Sequence, residues 1–171
     1  MHNRLYRLFF IMLYRLQQFW SALFPHITAQ ESEFVSNYLN KNELIVFNKL
    51  PKSDRKHSIK IALHLSQKYS SDQILIRAAL LHDIGKIFRP LNIFEKTIAV
   101  LLHDLSPSLA LKLSKKENSI MDTYYNHPKK GAFLAEHLKL KRDLIFLIEH
   151  HHNPTIDNDR LQLLISTDNL Y

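Results

Sequence analysis

Apolar residues recur along this chain three and four positions apart, and no stretch sustains a two-residue alternation of apolar and polar positions. The pattern predicts helices and no sheet. A first helix is expected over residues 3–24, where Leu5, Leu8, Phe9, Met12, Leu16, Phe19, Trp20 and Leu23 form one broad stripe interrupted by Arg4, Arg7 and Arg15. Thr28 and Glu31 make a capping box that opens a helix to about residue 39, and a short helix is expected over 42–49. Pro51 and Ser53 introduce a helix that carries His57 to about residue 69, and Asp72 caps one that carries His82 and Asp83. Asn92 and Glu95 frame a helix to about residue 104, after which Ser106 and Pro107 start another with proline in its first turn. His127 and Pro128 open a helix to about residue 138, Asp143 begins one that ends at Asn153 and Pro154, and Asn158 begins the last. There is no internal repeat and no low-complexity linker. The expected fold class is all-α.

Length and composition narrow this picture. A chain of 171 residues suits a single domain with a substantial core. The absence of cysteine excludes disulfides, thiolate zinc sites and iron–sulfur clusters, and is compatible with a cytoplasmic setting. Only Gly85 and Gly131 are glycine, which argues against a hairpin-rich β protein. The net charge of +7 favours anionic partners such as nucleotides, nucleic acid or an anionic membrane face, or simply keeps the surface soluble. The longest uncharged apolar run, residues 8–14, is too short to span a bilayer, so no transmembrane segment is expected. The basic 3–24 helix is suited to lie on a membrane surface, or to pack on its own domain or a partner subunit.

The chemistry concentrates where the apolar stripes carry polar residues. His82 follows Leu75, Ala78 and Ala79 at helical offsets, and Asp83 follows Ile76, Ala79 and Leu80. Both therefore point toward a core, where a carboxylate is costly unless its charge is compensated. No Lys or Arg is expected on that face within a turn, so a metal cation is the natural compensation. His151 follows Leu144, Leu147 and Ile148, and Asp168 follows Leu161, Leu164 and Ile165. His57 precedes Ile61 and Leu65, and His127 precedes Gly131, Ala135 and Leu138. Six N and O donors from five helical segments thus converge on a helical core, as a metal centre requires. With 11 histidines, chance pairs occur. His103 and Asp104 repeat the local Leu-Leu-His-Asp pattern but lack the Ile-Gly-Lys continuation, and His103 reads as a histidine at a helix C-terminus. His64 and His137 read as structural, and His150 as exposed.

The order His57, His82-Asp83, His127, His151, Asp168 resembles the HD-domain superfamily of metal-dependent phosphohydrolases in its His-Asp-Ile-Gly form. Residues 55–58, 80–86, 127–132, 148–151 and 167–169 carry the likeness, and the chain is most similar to small bacterial HD-domain proteins. The resemblance implies a single-domain helical bundle, with a helical extension over 1–49 and the HD domain over 50–171 packed as one globular unit. It implies that His57, His82, Asp83, His127, His151 and Asp168 are metal ligands for two divalent ions (Mn, Fe, Co, Ni or Mg), with Asp83 bridging. A minimal one-metal version uses His57, His82, Asp83 and Asp168. Ile148 selects His151 from the histidine run by the family spacing. Asp83 and Lys86 are the catalytic candidates, and Arg89 and His152 the substrate contacts.

The activity so implied is hydrolysis of a nucleotide-like phosphoester or phosphoanhydride by a metal-activated water, with a phosphorylated small molecule as the partner. The residues after His151 lack the Gly-Tyr-Pro of the cyclic-di-GMP phosphodiesterase branch, whereas the spacing from His127 to Asp168 is closer to the dinucleoside-tetraphosphate hydrolase branch. Two alternatives share the ligand set: a diiron oxygenase of the HD type, and a non-catalytic interaction module stapled by metal.

Overall fold

The computed structural model describes residues 25–171; the helix expected over 3–24 lies outside the described residues. The elements are α1 (Ala29–Tyr38), α2 (Lys41–Phe47), α3 (Lys52–Lys68), α4 (Gln73–Leu81), a 3₁₀ helix (Ile84–Phe88), α5 (Ile93–Leu105), α6 (Pro107–Ser114), α7 (Ile120–His137), α8 (Arg142–His150) and α9 (Asp159–Asp168). Among the described residues there is no strand, and no helix is long and apolar enough to cross a membrane. The protein is an all-α bundle.

Local signals set most of the helix starts. Thr28 with Glu31, Asn40 with Glu43, and Asn92 with Glu95 close reciprocal capping boxes, and Asp72, Ser119 and Asn158 cap α4, α7 and α9 with their side chains. Each supplies acceptors to backbone N–H groups that have no partner inside the helix. The principal core then forms from apolar stripes of α1 to α4, α8 and α9, with Ile59, Leu65, Leu75, Leu80, Leu144, Ile148 and Leu164 inside. A smaller cluster of Ala99, Ala110 and Met121 joins α5 and α6 to the start of α7, with Leu102, Tyr124 and Tyr125 packed on it. Ion pairs tie the layers: Glu31 with Lys56, Glu43 with Arg77, Asp54 with Lys96 and Asp72 with Arg160.

Two boundaries differ from the sequence reading, and both shape the site. The helix expected to open at His127 and Pro128 runs from Ile120, with Pro128 inside it. Proline removes the N–H that would have met the Tyr124 carbonyl. That carbonyl accepts instead from the His127 ring, whose Nδ1 lies 3.1 Å from Tyr124 O and 2.9 Å from Thr123 O. The second difference is at His82 and Asp83, which were expected within one continuous helix. α4 ends at Leu81 with His82 as its C-cap, and Asp83 (φ −92°, ψ 3°) starts the tighter 3₁₀ turn.

Glycine makes the next packing step possible. The 3₁₀ helix lies directly on α7, and a Cβ at position 85 would stand 1.9 Å from the His127 carbonyl oxygen and 2.6 Å from the Gly131 nitrogen. No side chain fits there, so Gly85 lets two backbones touch.

Candidate metal centre

The C-terminal end of α4, the start of the 3₁₀ helix, the middle of α7, the end of α8, the end of α9 and the first turns of α3 all meet at one place. His82, Asp83, His127 and His151 are almost completely buried there, with His57 and Asp168 half-buried at the rim. Asp83 presents its two oxygens to different neighbours. Its Oδ2 lies 3.5 Å from His82 Nε2, which is in turn 3.7 Å from Asp168 Oδ1. Its Oδ1 lies 3.1 Å from His127 Nε2 and 4.0 Å from His151 Nε2. His57 Nε2 completes the first side, 2.8 Å from Asp168 Oδ1.

Three of the imidazoles are held the same way. His82, His127 and His151 each direct Nδ1 at a backbone carbonyl three or four residues earlier, with distances of 2.9 Å to Ala79, 2.9 Å to Thr123 and 2.7 Å to Ile148. A carbonyl only accepts, so Nδ1 carries the proton and Nε2 keeps its lone pair. The lone pairs all face inward. His82 Nε2 is buried without a hydrogen-bond partner, and the Nε2 atoms of His127 and His151 stand 3.2 Å apart as two acceptors. A divalent cation fits this donor set of imidazole nitrogens and carboxylate oxygens. Among the described residues, those whose donor atoms lie within 4.8 Å of one another form three groups: His57, His82 and Asp168; His82, Asp83 and His151; His127, His151 and His152.

The family model described as HD domain matches residues 56–169. This chain belongs to the HD domain family. HD domains are in general metal-dependent hydrolases. Comparison with curated proteins and with solved structures found no match.

Electrostatics in this HD domain match the donor geometry. Burial works against the charge on Asp83, but the opposing effects, led by the Lys86 ammonium, hold the carboxyl well below its ordinary value. Burial likewise opposes the Lys86 ammonium, and Asp83, Asp54 and Asp168 more than offset that, so its pKa is raised. Burial, with the rings of His82, His127 and His152 nearby, holds His151 well below the ordinary imidazole value. His127 is lowered by burial and by Lys86, in spite of Asp83. His152 has an exposed residue surface, yet its ring is crowded enough by the site to be drawn down to about 4. At neutral pH the site therefore holds ionised carboxylates and neutral His127, His151 and His152, the protonation states that metal ligation needs.

The expectation that no cation shares the face of Asp83 was wrong. Lys86 Nζ lies 2.7 Å from Asp83 Oδ2. The 3₁₀ turn brings the pair closer into register: with three residues per turn, side chains at i and i+3 eclipse. Arg89 gives one nitrogen to Glu95 at 2.7 Å, while its Nη1 is buried without a partner. His103 stands apart from all three donor groups, with Nδ1 2.6 Å from the Tyr125 hydroxyl. His64 meets the Tyr171 hydroxyl and His137 the Phe133 carbonyl. His150, expected to be exposed, is half-buried against Phe146. Asp54 was missed: nearly buried one turn before His57, it binds Lys96 and leaves Oδ2 without a partner. Only its i−3 spacing from His57 could have drawn attention to it.

Proposed function

We propose that this chain is a phosphohydrolase acting on a phosphoester or phosphoanhydride in a nucleotide-like compound, with two divalent ions as cofactor. The observation that carries this reading is the division of Asp83. One oxygen faces His82 and the Asp168 side, the other faces His127 and His151, at 3.5 Å and 3.1 Å for the nearest imidazole nitrogens. His57, His82, Asp83 and Asp168 would hold one ion, and Asp83, His127 and His151 the other, with His152 beside the second. When bound, divalent ions supply Lewis-acid activation of water and neutralise phosphoryl charge.

The chain's own groups do the rest. The backbone-anchored imidazoles keep their lone pairs aimed inward without reorganisation. Buried apolar surface from Ile84 and Ile148 beside the site limits water. Lys86, released from Asp83 when that carboxylate is engaged elsewhere, carries a positive charge suited to the phosphoryl oxygens in the transition state. Asp83, Asp54 and Asp168 raise its pKa against the opposing effect of burial and keep it protonated at neutral pH.

The test uses protein stripped of metal and reloaded with Mn²⁺, Co²⁺, Fe²⁺ or Mg²⁺, assayed on phosphomonoesters, phosphodiesters and nucleoside polyphosphates. Metal-dependent hydrolysis is expected, abolished in Asp83→Ala and nearly intact in Asp104→Ala. Protein that binds iron and consumes O₂ while sparing every phosphate compound would move the assignment to the oxygenase reading. Metal-bound protein inert in both assays would leave the metal as a structural staple.

A further inference from the structure

The histidine that stands apart from the metal centre belongs to a second constellation. On α5, His103 is fixed by the Tyr125 hydroxyl at 2.6 Å, and its ring centroid lies 5.4 Å from Tyr124 and 5.6 Å from Tyr125. Tyr124 and Tyr125 meet edge to face at 5.3 Å and 80°. All three rings are half-buried, so the cluster is both held and open to solvent. Edge-to-face contacts with centroids near 5 Å are the favoured geometry for aromatic groups, and they leave the Tyr124 ring braced from two sides.

The place of this cluster matters more than its existence. Tyr124 stands three residues before His127 on α7, one helical turn and on the same side. The 3₁₀ helix runs along this part of α7. Gly85 touches the His127 carbonyl at one end, and the Arg89 carbonyl accepts from Thr123 Oγ1 at 3.3 Å at the other. Lys86 lies between those contacts. Burial, Asp104 and Tyr125 raise the Tyr124 hydroxyl pKa, and the Lys86 ammonium opposes them.

We infer that Tyr124, braced by His103 and Tyr125, is the stacking face for the base of a nucleotide whose phosphate sits at Asp83 and Lys86. This rests on the phosphohydrolase reading for the phosphate end. Three residues rise about 4.5 Å along α7, so the Tyr124 and His127 backbones stand apart by a length on the scale of a ribose. A π-face accepts any base, so the site selects nucleotides over base-free sugar phosphates and discriminates among bases mainly by stacking strength.

The experiment compares adenosine 5′-monophosphate with ribose 5-phosphate on metal-loaded protein, by calorimetric binding and by kcat and KM. Tyr124→Ala is expected to weaken the nucleotide about tenfold, within the range for loss of one aromatic–base stack, and to leave ribose 5-phosphate and metal content unchanged. Tyr124→Phe should bind as the parent protein does. Equal weakening of both compounds, no effect on either, or no nucleotide binding by the parent protein would overturn the stacking site. Nucleotide binding that depends on Tyr124 without hydrolysis of any phosphate compound would sustain the stacking site and remove the phosphohydrolase reading.

Discussion

At the scale of single residues, the contact between Lys86 and Asp83 has two faces. Without a metal the ammonium is the partner that makes a buried carboxylate tolerable. Lys86→Ala should therefore destabilise the metal-free protein by about 3–5 kcal/mol, the cost of leaving one charge of a buried pair alone. Metal loading should close the gap to the parent, because ions replace the lost partner. Thermal melts with and without chelator check this, and a gap unchanged by metal would separate Asp83 from metal binding. The same variant should lose about 2.7–4 kcal/mol of transition-state stabilisation if the ammonium meets developing phosphoryl charge, read as a fall in kcat at constant metal content. Asp122 gives a separate prediction about pH. Burial raises its carboxyl, but Lys130 at 2.5 Å, Asn126 and the Asn118 N–H outweigh burial and hold it below the ordinary value. Its contribution is present above the unfolded-state pKa and is lost as pH falls through the folded one. Parent protein should thus exceed Asp122→Asn in unfolding free energy, read from urea denaturation at neutral pH, by on the order of 1–2 kcal/mol, and the two should converge as pH falls below about 4. The inward stripes under His82, Asp83, His127 and His151 were legible from spacing, because helical periodicity aims side chains without reference to distant structure. The Asp83–Lys86 pair was legible as well and was overlooked: residues i and i+3 are already neighbours on an α-helix, and the 3₁₀ turn only brings them closer into register.

At the scale of elements, α7 shows how a helix tolerates an internal proline. The carbonyl of Tyr124 loses a backbone donor to Pro128 and gains the His127 imidazole, so the break in the ladder also orients a site histidine. The sequence reading took Pro128 as a start because proline is favoured in first turns; only the neighbouring ring supplies the replacement donor that lets the helix pass through. α7 ends in a Schellman motif in which Leu140 N bonds Ala135 O and Lys139 N bonds Glu136 O. Lys139 takes the left-handed position with φ 54°. Lys139→Gly should stabilise the protein by about 0.5–1 kcal/mol, since glycine removes the steric cost of that conformation and returns part of the gain as backbone entropy. A chemical-denaturation midpoint measures the difference, and a loss of stability would show that the lysine side chain contributes something the backbone does not reveal. Starts such as Thr28, Asn92 and Asn158 were readable because a cap is settled within four residues. The true start of α7, at Ser119, follows a left-handed Asn118 and is a weaker sequence signal than the proline inside the helix.

For the whole molecule, five chain segments supply the candidate ligands, so metal binding and global folding are linked. Chelation should lower the melting temperature, and reloading should restore it; free metal at a hundred times its dissociation constant is worth about 2.7 kcal/mol. A melting point indifferent to metal would mean that the donors converge without binding an ion. The all-α architecture was legible from period alone, and the meeting of α3, α4, α7, α8 and α9 was expected from polar residues set into apolar stripes only once their order matched the HD family, since His103 sits on such a stripe and stands apart. The pairing of α5 with α7 through His103 and Tyr125 was hidden, because no local pattern records which helix a half-buried ring will meet. Gly85 carries a consequence of another kind. The spacing between the Asp83 and His127 halves is set by backbone against backbone, so every amino acid other than glycine adds an atom where the His127 carbonyl already stands. Gly131 is less extreme: a Cβ there would meet Ile148 Cγ2 at 3.0 Å and the Gly85 backbone nitrogen at 3.3 Å, so its neighbours would have to give by a few tenths of an ångström. Mutational drift can adjust the ligands, the rim and the substrate face by small steps, while position 85 has no neighbouring state to drift into. A library of all substitutions at the two glycines should return alanine alone at 131, folded and metal-binding at a cost in stability, and nothing at 85.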